Sequence, residues 1–139
     1  MWSKTYSTKV KGVSREKLWA VWTNVNQWHT WQSDIEYAKL DGEFKAGSKF
    51  LLKPKGGPKV NIEILKSEPC NAFTDLTRFP MAKMYGLHEF IDHGDELEIK
   101  TTMSVEGMLG FVWRKLVAED VASGLKDQTE ALVAKACAA

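Results

Sequence analysis

The sequence predicts an α+β domain in which a curved antiparallel sheet of seven strands wraps around one long C-terminal helix. Residues 3–12 and six later segments alternate apolar and polar side chains with the two-residue period of strands. Short turns separate the six later segments, so neighbouring strands must run antiparallel. Residues 108–139 instead repeat apolar side chains every three or four positions, which is typical of a helix with one buried stripe.

The N-terminal part predicts one strand followed by two short helices. Tyr6 and Val10 share one face of the strand, and Gly12 ends it. Ser14 predicts the N-cap of the first helix, and Asn24 predicts the N-cap of the second. The two helices, within residues 15–31, form what we call the elbow.

Six further strands are predicted after the elbow, with glycine, proline and aspartate in the turns between them. They are residues 35–40, 49–53, 59–67, 73–79, 83–92 and 96–105. The last has the clearest pattern, since Leu97, Ile99 and Met103 share one face and polar residues occupy the other. The sheet is therefore expected to have a single buried side.

The C-terminal helix is the element expected to cover that side. Its predicted buried stripe is Leu109, Val112, Trp113, Leu116, Val117, Val121, Leu125, Leu132 and Ala136. A helix of this length, rising about 1.5 Å per residue, would cross a whole small domain. A long helix laid over a curved sheet can leave a hollow, so the sequence predicts a container.

Length and composition predict a single domain over residues 1–139. The formal net charge of +1, with acids and bases interspersed, disfavours nucleic acid as a partner. Neither a secretory signal nor a membrane span is predicted, so we expect a cytoplasmic protein, monomeric or homodimeric. Cys70 and Cys137 are far apart and the three histidines are scattered, so no metal or cofactor is expected.

Four stretches of the chain resemble a known family. They are REKLWAVWTNVNQWHTWQSDI at residues 15–35, LDGEFKAGSKFLLKP at 40–54, HEF at 88–90 and VEGMLGFVWRKL at 105–116. Together with the order of elements, they resemble the START-like, or birch-pollen-allergen-like, helix-grip superfamily, and within it the bacterial polyketide cyclase/dehydrase-type (SRPBCC) proteins. The resemblance spans essentially the whole chain. It implies an internal cavity that accepts apolar or aromatic small molecules, and in some members performs cyclisation, dehydration or hydrolysis.

Aromatic and methionine side chains from the elbow, the strands and the start of the last helix predict the wall of this cavity. The predicted ligand-binding residues are Trp28, Trp31, Phe50, Phe79, Met84, His88, Phe90, Phe111 and Trp113. Large rings serve equally well as core filler. An interior closed by the protein's own side chains therefore stays open as an alternative.

His88 is the best candidate for acid/base chemistry. It shares a strand face with Met84, and an imidazole there could exchange a proton with a ligand. The alternatives are a core histidine bonded to the backbone or to water, and the opposite strand register, which would turn Tyr85 inward. Arg78 and Tyr85 are predicted at the rim of the cavity.

Three functions are compatible with these residues. The first is binding or carriage of a small apolar or aromatic molecule, polyketide-like or lipid-like, without catalysis. The second is a cyclase or dehydratase-type enzyme acting in the same cavity with His88 as acid and base. The third is a protein-interaction module with a filled interior.

Overall fold

A computed structural model describes residues 2–138 of the chain. Its strands are β1 (Trp2–Val10), β2 (Ile35–Leu40), β3 (Lys49–Pro54), β4 (Val60–Glu68), β5 (Ala72–Phe79), β6 (Ala82–Asp92) and β7 (Leu97–Glu106). They form one sheet in the order β1-β7-β6-β5-β4-β3-β2, with every neighbouring pair antiparallel. The predicted fold class is confirmed, and β2 to β7 begin and end within one residue of their predicted bounds.

The elbow carries the chain from one edge of the sheet to the other, because β1 and β2 are the two outermost strands. It consists of α1 (Arg15–Thr23) and a 3₁₀ helix (Val25–Thr30). The Ser14 hydroxyl accepts a hydrogen bond from the backbone N–H of Lys17 at 3.2 Å, as the predicted cap requires. Asn24 occupies the second cap position, but its side chain makes no capping bond within residues 2–138.

A side-chain amide fixes the elbow to the end of β2. The Asn26 amide nitrogen donates to the Leu40 carbonyl, and the Asn26 amide oxygen accepts from the Leu40 N–H, both at 3.0 Å. These two bonds satisfy the backbone of a strand end at the sheet edge. The elbow therefore has a fixed position above the sheet.

The C-terminal region differs from the predicted continuous helix. It consists of α2 (Gly110–Trp113), a π-helical turn (Arg114–Ala118), α3 (Glu119–Ser123) and α4 (Leu125–Ala138). Gly124, between α3 and α4, interrupts the helix. A π turn contains more residues than an α turn, so it rotates the apolar stripe relative to the regular spacing.

The burial of the predicted stripe changes along this region. Leu125, Leu132 and Ala136 are buried, as predicted. Leu116 and Val121 are instead 66% and 39% exposed. The predicted apolar stripe is therefore less completely buried before Gly124 than in α4.

Two clusters of apolar side chains cover the inner face of the sheet. The larger contains elbow, sheet and α4 residues, among them Leu18, Phe73 and Leu132. The smaller contains Met84 of β6 and Ala118 of the π turn. Burial of these side chains is the main source of folding free energy.

Within residues 2–138, no helix combines the length and apolar character needed to cross a membrane.

Gly107, between β7 and α2, is predicted to tolerate no side chain. Its φ is +112°, and an added Cβ would lie 2.5 Å from the carbonyl oxygen of Met81. Gly107→Ala should lower the free energy of unfolding in urea by about 1–2 kcal/mol or more. Gly124→Ala is the control, because a Cβ there meets nothing closer than 3.6 Å. Equal losses of unfolding free energy in both variants would contradict a specific requirement for glycine at position 107.

Candidate ligand-binding cavity

A cavity of about 330 Å³ lies between the inner face of the sheet and the helices. The elbow contributes Trp22 and Trp28, and the C-terminal region contributes Trp113, Val117 and Leu125. Residues of β2 to β7 form most of the remaining wall, which also includes Asp34. The cavity therefore borders both apolar clusters and is largely apolar, as ligand sites for small molecules commonly are.

A surface groove of about 470 Å³ adjoins the cavity near the turn between β3 and β4. The groove and the cavity share Pro58, Phe79 and Trp113. The Phe79 and Trp113 rings stack, with centroids 4.6 Å apart. The Trp113 indole N–H also donates to the Pro80 carbonyl at 3.0 Å. These contacts attach the start of the C-terminal helical region to the β5–β6 turn.

Six of the nine predicted ligand-binding residues line the cavity. They are Trp28, Phe50, Phe79, Met84, His88 and Trp113. Their contact with a ligand stays a prediction. Trp22 also lines the cavity and belongs to the larger cluster.

The other three predicted ligand-binding residues lie elsewhere. Trp31 packs on the edge of Trp22 at 5.3 Å between ring centroids, within the core. Phe90 is buried in the larger cluster, further along β6. Phe111 is 64% exposed on the outside of α2. Alternation and periodicity identify a face, but they do not identify which part of that face is left uncovered.

The two predicted rim residues do not line the cavity. Arg78 is exposed and pairs with Glu63 at 3.2 Å along the outer groove. Tyr85 lies on the outer face of β6, where its hydroxyl donates to Glu106 at 3.0 Å. This hydrogen bond raises the pKa of Tyr85 above its usual value. Both side chains alternate with inward-facing neighbours, so they point away from the cavity.

His88 and Asp75 form a polar pair in the wall of the cavity. His88 Nε2 lies 2.9 Å from Asp75 Oδ2, and both residues line the cavity. The imidazole stacks on Phe73 at 4.4 Å and meets the edge of Trp22 at 5.1 Å. The structure thus has the register in which Met84 and His88 face inward.

Asp75 is the functional candidate that our sequence interpretation missed. The signal was available, because Asp75 shares the inner face of β5 with Phe73, Thr77 and Phe79. A charged residue among inward-facing apolar residues is rare without a partner. Its partner, His88, lies on the neighbouring strand, and sequence spacing alone does not give that pairing.

The ionisation of Asp75 determines the tautomer of His88. A carboxylate only accepts hydrogen bonds, so an ionised Asp75 requires the proton on Nε2 of His88. Nδ1 is then an acceptor, and it is buried with no partner among residues 2–138. The carboxylate therefore orients the imidazole, which is its role beside a histidine in general acid/base catalysis.

A second polar pair joins the elbow to α4. Gln128 Nε2 donates to Gln32 Oε1 at 3.1 Å, and both side chains line the cavity. Gln32 Nε2 is buried and has no partner among residues 2–138. The cavity therefore has polar groups on its helical side as well as on the sheet.

No group of three or more potential metal ligands occurs within the described residues.

Comparison with known proteins identifies the fold. No family model matches the chain, and no curated protein matches it significantly. A hypothetical protein from Helicobacter pylori, jhp0584, has a TM-score of 0.73 at 18% identity, over 96% of this chain and 87% of that one. Ara h 8.0201 has a TM-score of 0.75 at 11% identity, over 99% of this chain and 100% of that one.

Norcoclaurine synthase from Thalictrum flavum has a TM-score of 0.69 at 11% identity, over 94% of this chain and 84% of that one. The chain has the helix-grip fold. The resemblance predicted from the sequence is thereby confirmed for the fold. At identities this low the likeness concerns the helix-grip architecture alone, so function has to be argued from the cavity.

Gly86 makes room for the polar pair of this helix-grip cavity. It lies opposite Asp75 in the β5–β6 register. An added Cβ would lie 2.8 Å from Asp75 Oδ1 and 3.0 Å from His88 Nε2. Any other residue at this position would push the two side chains apart.

Gly86→Ala should therefore displace the Asp75–His88 contact. We expect altered imidazole ¹⁵N shifts of His88 in long-range NMR spectra, together with a loss of about 1–3 kcal/mol in the free energy of unfolding. Gly110→Ala is the matched control, because its Cβ makes only an ordinary 3.5 Å contact with Val105. Unchanged His88 shifts in Gly86→Ala would show that the pair does not depend on this glycine.

Proposed function

We propose that the protein binds a small apolar molecule, aromatic, polyketide-like or lipid-like, in the cavity between the sheet and the C-terminal helices. The observation that carries this proposal is the cavity of about 330 Å³ with aromatic and aliphatic walls. Sites for small molecules are typically concave, mostly apolar and supplied with a few polar groups that fix orientation. The Asp75–His88 and Gln32–Gln128 pairs would provide those polar groups.

The adaptable methionine side chains in the cavity wall support binding of ligands that differ in shape. Met84 and Met103 lie in the wall, and methionine adapts its shape at little cost. The structure of norcoclaurine synthase, of the same fold, holds dopamine and hydroxybenzaldehyde, two small aromatic molecules. The open cavity disfavours the third function, since an interaction module with a filled interior needs no such space.

A cavity-filling substitution tests the proposal. Val117 lines the cavity, so Val117→Phe should place a ring inside it. We expect this variant to bind the neutral fluorescent dye N-phenyl-1-naphthylamine about tenfold more weakly, or worse, equivalent to ~1.4 kcal/mol. Leu116→Phe is the matched control, because Leu116 is exposed on the adjacent position. Equal dye affinity in the wild type and both variants would contradict binding in the cavity.

The Asp75–His88 pair favours a second candidate function, proton-transfer catalysis in the same cavity. A histidine oriented by a carboxylate is a recurrent general base, and enolisation of an aromatic ketone is the simplest reaction it could catalyse. In that reaction the base removes a proton from the carbon beside the carbonyl. Under our leading proposal the protein is a binder, and this step has no catalyst.

Deuterium exchange separates the two candidates. We expect the methyl protons of acetophenone to exchange into D₂O at the same rate with wild type, His88→Gln and the surface control His29→Gln, followed by NMR. Faster exchange with wild type and His29→Gln, lost in His88→Gln, would instead establish His88 as a catalytic base. His29 is exposed on the elbow, so its substitution leaves the cavity unchanged.

A further inference from the structure

The wall of the cavity contains a carboxylate oxygen with unused capacity. Asp75 Oδ2 meets His88 Nε2, and this is the one hydrogen bond of the Asp75 side chain within residues 2–138. A carboxylate has about four acceptor positions. Oδ1 therefore lacks a protein donor, although the side chain is only 19% exposed. Oδ1 keeps some accessibility, so an incoming donor can reach its free acceptor positions.

The surroundings of Asp75 make a donor the favoured partner. No lysine or arginine lines the cavity among the described residues, so the carboxylate faces no fixed cation other than the imidazole. With a neutral imidazole the cavity carries net negative charge. Such a site attracts O–H and N–H groups and repels carboxylates, and the low polarity of its walls strengthens both effects.

Gly86 allows Asp75 Oδ1 to lie close to the backbone of β6. A Cβ at this position would be 2.8 Å from Oδ1, so the carboxylate occupies the space that any other side chain would need. Thr77 follows on the same face of β5 and lines the cavity, so its hydroxyl is a second group within the same part of the wall. The rest of the wall near the pair is apolar, including Met84 and Met103.

We infer that the ligand of this cavity is an apolar molecule carrying one O–H or N–H group, and that this group donates a hydrogen bond to Asp75. The inference rests on the proposed binding function and specifies its chemistry. Asp75 acts as the residue that determines specificity, and His88 positions its carboxylate. Molecules that offer only acceptors or a carboxylate are excluded, because they would leave Oδ1 unpaired or repelled.

Shape-matched probes test this inference. They are 4-propylphenol and 4-propylaniline as donors, and 4-propyltoluene as the isostere without a donor, each displacing N-phenyl-1-naphthylamine from the full chain. Wild type should prefer at least one donor probe over 4-propyltoluene by about tenfold or more, because hydrogen bonds to charged groups are strong. The better donor shows whether O–H or N–H is favoured.

Asp75→Asn should reduce this preference to about threefold or less while still binding 4-propyltoluene, since the neutral amide keeps the volume but loses the charge. Asp127→Asn, an exposed carboxylate on α4, should keep the wild-type preference. The wild-type comparison stands even if Asp75→Asn folds poorly, which a thermal melt reports. Equal binding of donor and isostere by wild type would overturn the inference and leave the proposed function standing. If no probe and no dye binds, both fall.

Discussion

The structure depends on how incompletely the C-terminal region covers the inner face of the sheet. Beyond Gly124, α4 buries Leu132 and Ala136 against the elbow and the sheet, so this end is closely packed. Before Gly124, Ala118 of the π turn is buried, but Leu116 and Val121 are exposed. Trp113 fixes the start of this half by stacking on Phe79 and donating to the β5–β6 turn. The cavity lies between this anchor and the closely packed α4.

The chemistry of the gap follows from the contrast between its walls and its few polar groups. Rings and methionines supply apolar contact without direction, whereas the Asp75–His88 pair supplies direction within a region of low polarity. Two stacked or edge-on aromatic neighbours hold the imidazole, and Gly86 leaves space for it and for the carboxylate. Under the proposed function, such a site would orient one end of the ligand by hydrogen bonding and would accept varied shapes elsewhere.

Much of this arrangement could be predicted from the sequence, because alternation directly reports the two faces of a strand. It gave the strands, the inward face of His88 and six residues of the wall. Alternation does not show which part of the inner face borders the cavity and which part is covered by the core. Phe90 was therefore predicted in the cavity, although it lies in the core. The π turn breaks the regular spacing from which Leu116 was expected to be buried. The role of Asp75 depends on its contact with His88 on the neighbouring strand, and no local sequence pattern reveals that contact.

The central claim is that the space between sheet and helices holds a guest molecule. The most direct measurement is a crystal structure of the protein soaked with 4-iodophenol, in which the anomalous signal of iodine locates the guest. The account predicts an iodine peak enclosed by Trp28, Met84 and Trp113. Iodine found only on the outer surface, with the tryptophan rings occupying the space between sheet and helices, would contradict it.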